Sequence, residues 1–418
     1  ENISIDAIDI SNLQNTLSGL VEQTEKKVDL LGDEDAPVLQ LFNVLLVEAI
    51  RKQASDIHIE PFEYQSQIRM RVDGSLMEVV ELATEVAIRL VARIKVLAKL
   101  DIAEKRLPQD GRITVTLAGR EVDLRVSTIP AMHGERVVMR ILEKQQTHLD
   151  LSNLGMTTKQ LQELAKLLAK PNGIILVTGP TGSGKTTTLY AALKTIATTD
   201  RNIMTIEDPV EYNLAGVSQT QTAEKSGFTF AKGLKAILRQ DPDVILVGEI
   251  RDNETATIAI QASLTGHLVL STLHTNNATG AITRMGDLGV EPFLLSSSLR
   301  GVLAQRLVRT LCPHCKTERP INSDAISIFE EYSLEPPKTI SVPVGCENCN
   351  HTGFLGRHGL YELVSMTDEL RRLIHDKKGE LLLEKKIRES VPSLMSAGLV
   401  LVSEQKTTLE EVLKVSAE

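Results

Sequence analysis

Gly173-Ile174-Ile175-Leu176-Val177-Thr178 runs into Gly179-Pro180-Thr181-Gly182-Ser183-Gly184-Lys185-Thr186, and that runs into Thr187-Thr188-Leu189-Tyr190-Ala191-Ala192-Leu193. The first segment is a continuous apolar run of strand length. The second is a complete G-x-x-x-x-G-K-T phosphate loop, and the third suits the start of a helix. Glycines let backbone N–H groups turn inward around a β-phosphate. The Lys185 ammonium can neutralise β/γ oxygens, and the Thr186 hydroxyl can ligate Mg²⁺. Residues 179–187, ending at Thr187, are therefore the expected binding residues for a nucleoside triphosphate such as ATP. The bland alternative, a loop that only caps a helix, is disfavoured by the strand–loop–helix context.

Outward from this loop, helix and apolar strand alternate. Strands are expected at Gly173–Thr178, Asn202–Ile206, Asp243–Val247 and His267–Leu273, with helices between them. Near-continuous apolar strands of this kind belong to a parallel sheet covered on both faces. With a phosphate loop on the first strand, the expected core is α/β and RecA-like, over residues 146–308. Upstream, residues 1–35 are polar and acidic and read as an arm, with a short helix near Leu13–Val21. Residues 36–145 carry a helical face (Val38, Leu41, Phe42, Leu45, Leu46, Ala49, Ile50) and then period-two strands. Ile57/Ile59, Ile68/Met70/Val72 and Ile113/Val115/Leu117 alternate with polar residues. The last of these should pair with Val122/Leu124/Val126 across Ala118-Gly119, and a helix is expected at Glu85–Leu100. That is a compact α+β domain. Residues 309–358 hold the cysteines, and 359–418 read as mostly helical.

Composition weighs against several classes. The 418-residue chain carries a net charge of −9, contains no Trp and is only 3 % aromatic. No global basic field argues for nucleic acid, and little aromatic material is left for base-stacking platforms. No apolar run reaches the ~18 residues of a membrane span, and no signal peptide opens the chain, so a cytosolic protein is expected. The opening residue is Glu1 rather than Met, so a native N-terminal segment is expected to be missing.

Three constellations surround the loop. The second core strand ends in Glu207-Asp208-Pro209-Val210-Glu211, placing carboxylates at the carboxyl edge, where such sheets bind ligands. One can orient the attacking water while another serves the Mg²⁺ shell. A solvated acidic loop is the alternative. The third strand runs Val244-Ile245-Leu246-Val247-Gly248-Glu249, a Walker-B-like run into an acid. The fourth is bracketed by His267 and His274, either of which alone would read as structural. As a pair beside the loop they are expected to hydrogen-bond the γ-phosphate or the catalytic carboxylates and to report nucleotide state to the subunit boundary. Separately, Cys312-x-x-Cys315 and Cys346-x-x-Cys349 form two knuckles that complete an S₄ site for structural Zn²⁺, with redox dithiols as the alternative. His314, His351 and His358 lie nearby as substitute ligands. Arginines at 69, 71, 93, 106, 112, 120, 125, 136 and 140 crowd the first domain, most of them expected in solvent. An oligomeric ATPase, however, often draws an arginine from a neighbour.

Together the motifs resemble one family. Ala54–Pro61, Arg69–Gly74 and Arg106–Arg112 are similar to its N-terminal signatures. Gly179–Thr186 is similar to its Walker A, Glu207–Glu211 to its Asp box, Gly248–Asp252 to its Walker B and Gly266–His274 to its His box. The family is that of the secretion ATPases of type II secretion and type IV pilus assembly, and the resemblance covers nearly all of residues 36–418. The cysteine module resembles the assembly and secretion branch.

The resemblance implies a PAS-like first domain and a homo-hexamer with ATP sites between the two domains of each subunit. It implies that Glu211 polarises water, that Glu249 serves Mg²⁺, that Arg125 and Arg140 approach the phosphates, and that Arg239 stands at a subunit boundary. It also implies peripheral attachment to the inner membrane through secretion-platform proteins and an extra N-terminal domain, and assembly of a pilin-like filament. Type IV pilus assembly is the nearest alternative. A RecA-like nucleic-acid translocase and a non-hydrolysing nucleotide-gated scaffold are more distant ones.

Overall fold

The computed structural model describes residues 3–5, 36–117, 120–143 and 150–416. The expected helix at 13–21 and the Ala118-Gly119 turn fall outside them. The chain divides into two compact units, Glu1–Gln145 and Gln146–Glu418.

The first unit contains β1 (Ile3–Ile5), α1 (Ala36–Arg51), β2 (Ala54–Pro61), β3 (Gln65–Val72), β4 (Ser75–Ala83), α2 (Thr84–Leu97), β5 (Gln109–Leu117), β6 (Arg120–Ala131) and β7 (Gly134–Glu143). They form a seven-stranded sheet in the order β1-β5-β6-β7-β2-β3-β4. Residues Val38, Leu41, Phe42, Leu45 and Leu46 of α1 are buried at helical spacing, as are Val86, Leu90 and Ile94 of α2. They meet Ile57, Ile68, Val115, Leu124 and Met139 in one core. Ile113 pairs with Leu124 and Val115 with Val122, the register that the alternation predicts. The second helix stops short of Leu100, because Lys99 takes a left-handed φ of 58°.

The second unit begins with α3 (Thr158–Leu168), β8 (Gly173–Thr178), α4 (Lys185–Ile196), β9 (Ile203–Glu207), β10 (Ser218–Gln221), α5 (Phe230–Ile237), β11 (Val244–Val247), α6 (Asn253–Leu264) and β12 (Leu268–Leu273). It continues with α7 (Ala278–Asp287), α8 (Pro292–Ser298), β13 (Leu299–Leu311), β14 (Thr317–Pro320), α9 (Ser323–Glu331), β15 (Thr339–Val342) and β16 (Phe354–Ser365). Four helices close it: α10 (Asp368–His375), α11 (Glu380–Arg388), α12 (Leu394–Ser403) and α13 (Leu409–Ser416). Its sheet runs β10-β9-β11-β12-β8-β13-β16, parallel except for the last strand. Ile174 and Leu176 face one core while Ile175 and Val177 face the other, so helices cover both sides. The α/β, RecA-like class holds.

Three strands lie beyond the four expected: β10 beside β9, β13 beside the phosphate-loop strand, and β16 beside β13. Because β16 runs to Ser365, the region from 359 opens on a strand, and helices begin only at Asp368. Among the described residues, no helix is long and apolar enough to cross a membrane.

Candidate functional site

The loop between β8 and α4 is shaped by glycines. Gly179, Gly182 and Gly184 have φ of 149°, 81° and 87°, conformations that side chains rarely adopt. Gly184 sits at the N-cap of α4, so unpaired N–H groups of the first turn face the hollow. Lys185 is buried at 9 % exposure, and its Nζ donates to the carbonyls of Gly179 (2.7 Å) and Pro180 (2.9 Å). Burial pulls its ammonium down to about 8, opposed by the charge of Glu249. Thr181, Thr186 and Thr187 are exposed. A loop of inward N–H groups with a buried lysine and an exposed threonine hydroxyl fits a triphosphate and its magnesium by the chemistry of its donors.

The acids stand at the same carboxyl edge. Glu249 follows β11, and its Oε1 accepts from Arg251 Nη2 at 2.6 Å. Its Oε2 lies 3.6 Å from His274 Nε2. His274 is kept below its ordinary pKa first by burial and then by the Lys185 charge. Its loop is tied to the phosphate-loop strand, since the Oγ1 atoms of Thr178 and Thr275 are 2.7 Å apart. The structure thus brings Lys185, Glu249 and His274 together.

Glu207, expected to touch the cofactor, is instead buried and occupied. It accepts from Tyr190 OH, from Thr205 Oγ1 (2.5 Å) and from Gln219 Nε2 (3.2 Å). Its carboxylate anchors the loop that carries the exposed Asp208 and the half-buried Glu211.

Two expected residues lie at the wrong end of the sheet. His267 precedes β12, and its carbonyl accepts from the Gly173 N–H at the start of β8, whereas the phosphate loop follows Thr178 at the other end. Strands of this length hold their ends roughly 16–20 Å apart. Its Nδ1 is 2.9 Å from the Ala262 carbonyl, so His267 closes the end of α6 and is not a γ-phosphate sensor. Arg239 is exposed before β11, again on the amino edge, and donates to the Lys235 carbonyl at 2.9 Å. It cannot reach the phosphate loop of its own chain.

In the first unit, Arg112, Arg125 and Arg140 are successive cross-strand partners on β5, β6 and β7, and Asp56 of β2 follows Arg140 in the row. Arg140 Nε donates to Asp56 Oδ1 at 2.9 Å. The row therefore sets three guanidinium groups side by side, with the Asp56 carboxylate paired to the last of them. Arg112 joins the row by pairing with Arg125. Only the register reveals it.

Cys312 and Cys315 follow β13, and Cys346 and Cys349 precede β16, so pairing of these two strands brings the knuckles together. All four sulfurs lie within 4.8 Å of one another, and three of their separations are 3.8–3.9 Å. A tetrahedral zinc with Zn–S near ~2.3 Å needs sulfurs about 3.8 Å apart, so the donor set fits. Backbone N–H groups of Gly345, Cys346 and Gly353 point at the sulfurs of Cys315 and Cys349. The histidines stay out of this cluster, and the His358 ring packs against Gly155 instead. One residue that motif reading missed touches the phosphate loop directly: Gln305 of β13, whose buried amide bonds Ser183 and Thr188. The only sequence signal is a glutamine directly after the apolar run Val302-Leu303-Ala304.

The model of the Type II/IV secretion system protein family matches residues 32–414. The chain is 57 % identical over 400 residues to the type II secretion system protein E of Aeromonas hydrophila, covering 96 % of this chain and 80 % of that protein. It is 54 % identical over 411 residues to the type II secretion system ATPase E of Vibrio cholerae serotype O1, covering 98 % and 82 %. Among solved structures it is similar to the pilus retraction motor PilT with bound ADP, at 27 % identity and a TM-score of 0.61 over 90 % of this chain and 96 % of that one. The Legionella pneumophila ATPase DotB, at 20 % identity and a TM-score of 0.66 over 90 % and 95 %, shares the fold.

Proposed function

The chain belongs to the Type II/IV secretion system protein family, and from that premise we propose how its residues divide the work of an ATPase. It is an ATP hydrolase of the type II secretion branch, the branch named in its relatives. The observation that carries the residue assignment is the meeting of Lys185, Glu249 and His274 beside a glycine-shaped loop. Lys185 and the N–H groups of residues 179–187 bind the phosphates. Thr186 and Glu249 would hold Mg²⁺, which when bound neutralises charge developing on the transferred phosphoryl group. Glu211, at the end of the anchored loop, orients the attacking water, and neutral His274 reads whether Glu249 faces a γ-phosphate.

The like-charged row Arg112–Arg125–Arg140 supports assigning Arg125 and Arg140 to phosphate. Arg239 lies at the amino edge, away from its own phosphate loop, and we assign it to the boundary with a neighbouring subunit. We assign Zn²⁺ to the four cysteines in a structural role, measurable as metal content of the purified protein. The working form on this reading is a homo-hexamer on the cytoplasmic face of the inner membrane. It is held there by secretion-platform proteins and drives a pilin-like filament, without nucleic acid. The test is ATP turnover by the assembled protein. Lys185→Ala and Glu211→Ala should each lose at least about 100-fold in rate, and wild-type rates in both would sink the assignment.

A further inference from the structure

The phosphate loop is gripped from outside by β13. Gln305, 2 % exposed, donates from Nε2 to the Ser183 carbonyl at 2.7 Å and accepts at Oε1 from Thr188 Oγ1 at 2.8 Å. The two contacts use opposite ends of one amide, so the group cannot flip without losing both. The Ser183 carbonyl and the Gly184 N–H belong to one planar trans peptide and point in opposite directions. Pinning the carbonyl toward β13 therefore turns the Gly184 N–H away from β13 and into the hollow of the loop.

The glycines of the loop make room for this grip. A Cβ on Gly184 would lie 2.8 Å from Gln305 Nε2, and one on Gly179 would lie 2.4 Å from the Gln305 carbonyl oxygen. The strand is held from its far side as well. Arg306, the next residue, donates to the Val415 carbonyl (3.1 Å) and to Asn276 Oδ1 (3.2 Å). Gln305 is thus a fixed amide on a braced strand, set against a loop whose work depends on where its N–H groups aim.

We propose that Gln305 is a positioning residue for phosphate binding, aiming the backbone donors of the loop before nucleotide arrives. The inference rests on the phosphate-loop reading above. Because the β-phosphate is common to ATP and ADP, the effect is uniform binding, not chemistry. In the assembled protein with Mg²⁺, Gln305→Leu should raise KM for ATP and Kd for ADP together, by about ten-fold. In the same variant kcat at saturation should fall by less than KM rises. Gln305→Glu keeps the size and the acceptor for Thr188 but sets a carboxylate against the Ser183 carbonyl. It should weaken ADP at least as much, and it decides the question if the leucine variant fails to fold.

Unchanged ADP affinity in the folded variant overturns the proposal, and so does a fall in kcat with KM unmoved. Lys185→Ala serves as the control. If it still binds ADP, the phosphate-loop reading itself fails. If it loses ADP while the Gln305 variants keep it, only the role of Gln305 is wrong.

Discussion

The two edges of the second unit's sheet carry similar side chains to opposite ends. At the carboxyl edge, Lys185, Glu249 and His274 face one another, and the pKa of each base is moved by burial and by its neighbours. At the amino edge, His267, Arg239 and Arg300 settle on backbone carbonyls: Ala262 and Lys235 in helices α6 and α5, and Asn172 just before β8. The difference follows from helix direction. In a parallel βα sheet each helix returns antiparallel to its strands, so helix N-termini line the carboxyl edge and C-termini the amino edge. A cationic or polar head at the amino edge finds surplus carbonyls and is satisfied. At the carboxyl edge the surplus is of N–H groups, which attract anions, and cations there await a phosphate. Even the Lys185 contacts to Gly179 and Pro180 are with loop carbonyls that a phosphate can replace.

The contrast is tested most severely at Glu249. Glu249→Gln should cut ATP turnover by roughly 100-fold while leaving ADP binding, measured by titration, close to that of the unaltered protein. Retained turnover would mean that the Walker-B-like acid does no chemistry. His274→Ala comes next, with an expected loss of about ten-fold in turnover, since it contacts the acid and not the phosphate loop.

Lys185 adds a pH signature. Its pKa is lowered by burial to about 8, so the unliganded protein loses this ammonium as pH rises through 8. Phosphate binding needs the charged form, so ADP affinity should weaken by up to about ten-fold from pH 7 to pH 9, one unit above the pKa. Flat affinity across that range would show that the lysine keeps its proton. The smallest effect is expected at the other edge. His267→Ala should change turnover less than about two-fold while costing roughly 0.5–1 kcal/mol in thermal unfolding, as loss of a helix-end contact does. Equal damage to turnover from the His267 and His274 variants would erase the contrast between the edges.

Much of this was legible in the sequence because local chemistry dominated it. The short apolar run at 173–178 reads as an interior strand because a phosphate loop follows it, and glycines at 179, 182 and 184 permit the left-handed backbone that loop adopts. Four cysteines in two knuckles need one another in any fold. The strands β13 and β16 were harder to see. Their polar members Gln305, Arg306 and Glu362 break the apolar pattern, yet all three are buried at 3 % exposure or less, because long-range partners satisfy them. Periodicity cannot reveal partners that lie from 26 to 122 residues away.

The sequence by itself determined that this chain binds a nucleotide on a parallel sheet and gathers a metal-fitting set of thiols. Those properties need only neighbours within a few positions, or cysteine pairs that meet once their flanking strands pair. Tertiary structure alone decided which histidine stands beside the phosphate loop and which carboxylate is taken up as an anchor. It also decided which strand grips the loop. The end of the sheet a residue occupies, and the backbone surplus it meets there, are set by the directions of strands and helices packed together.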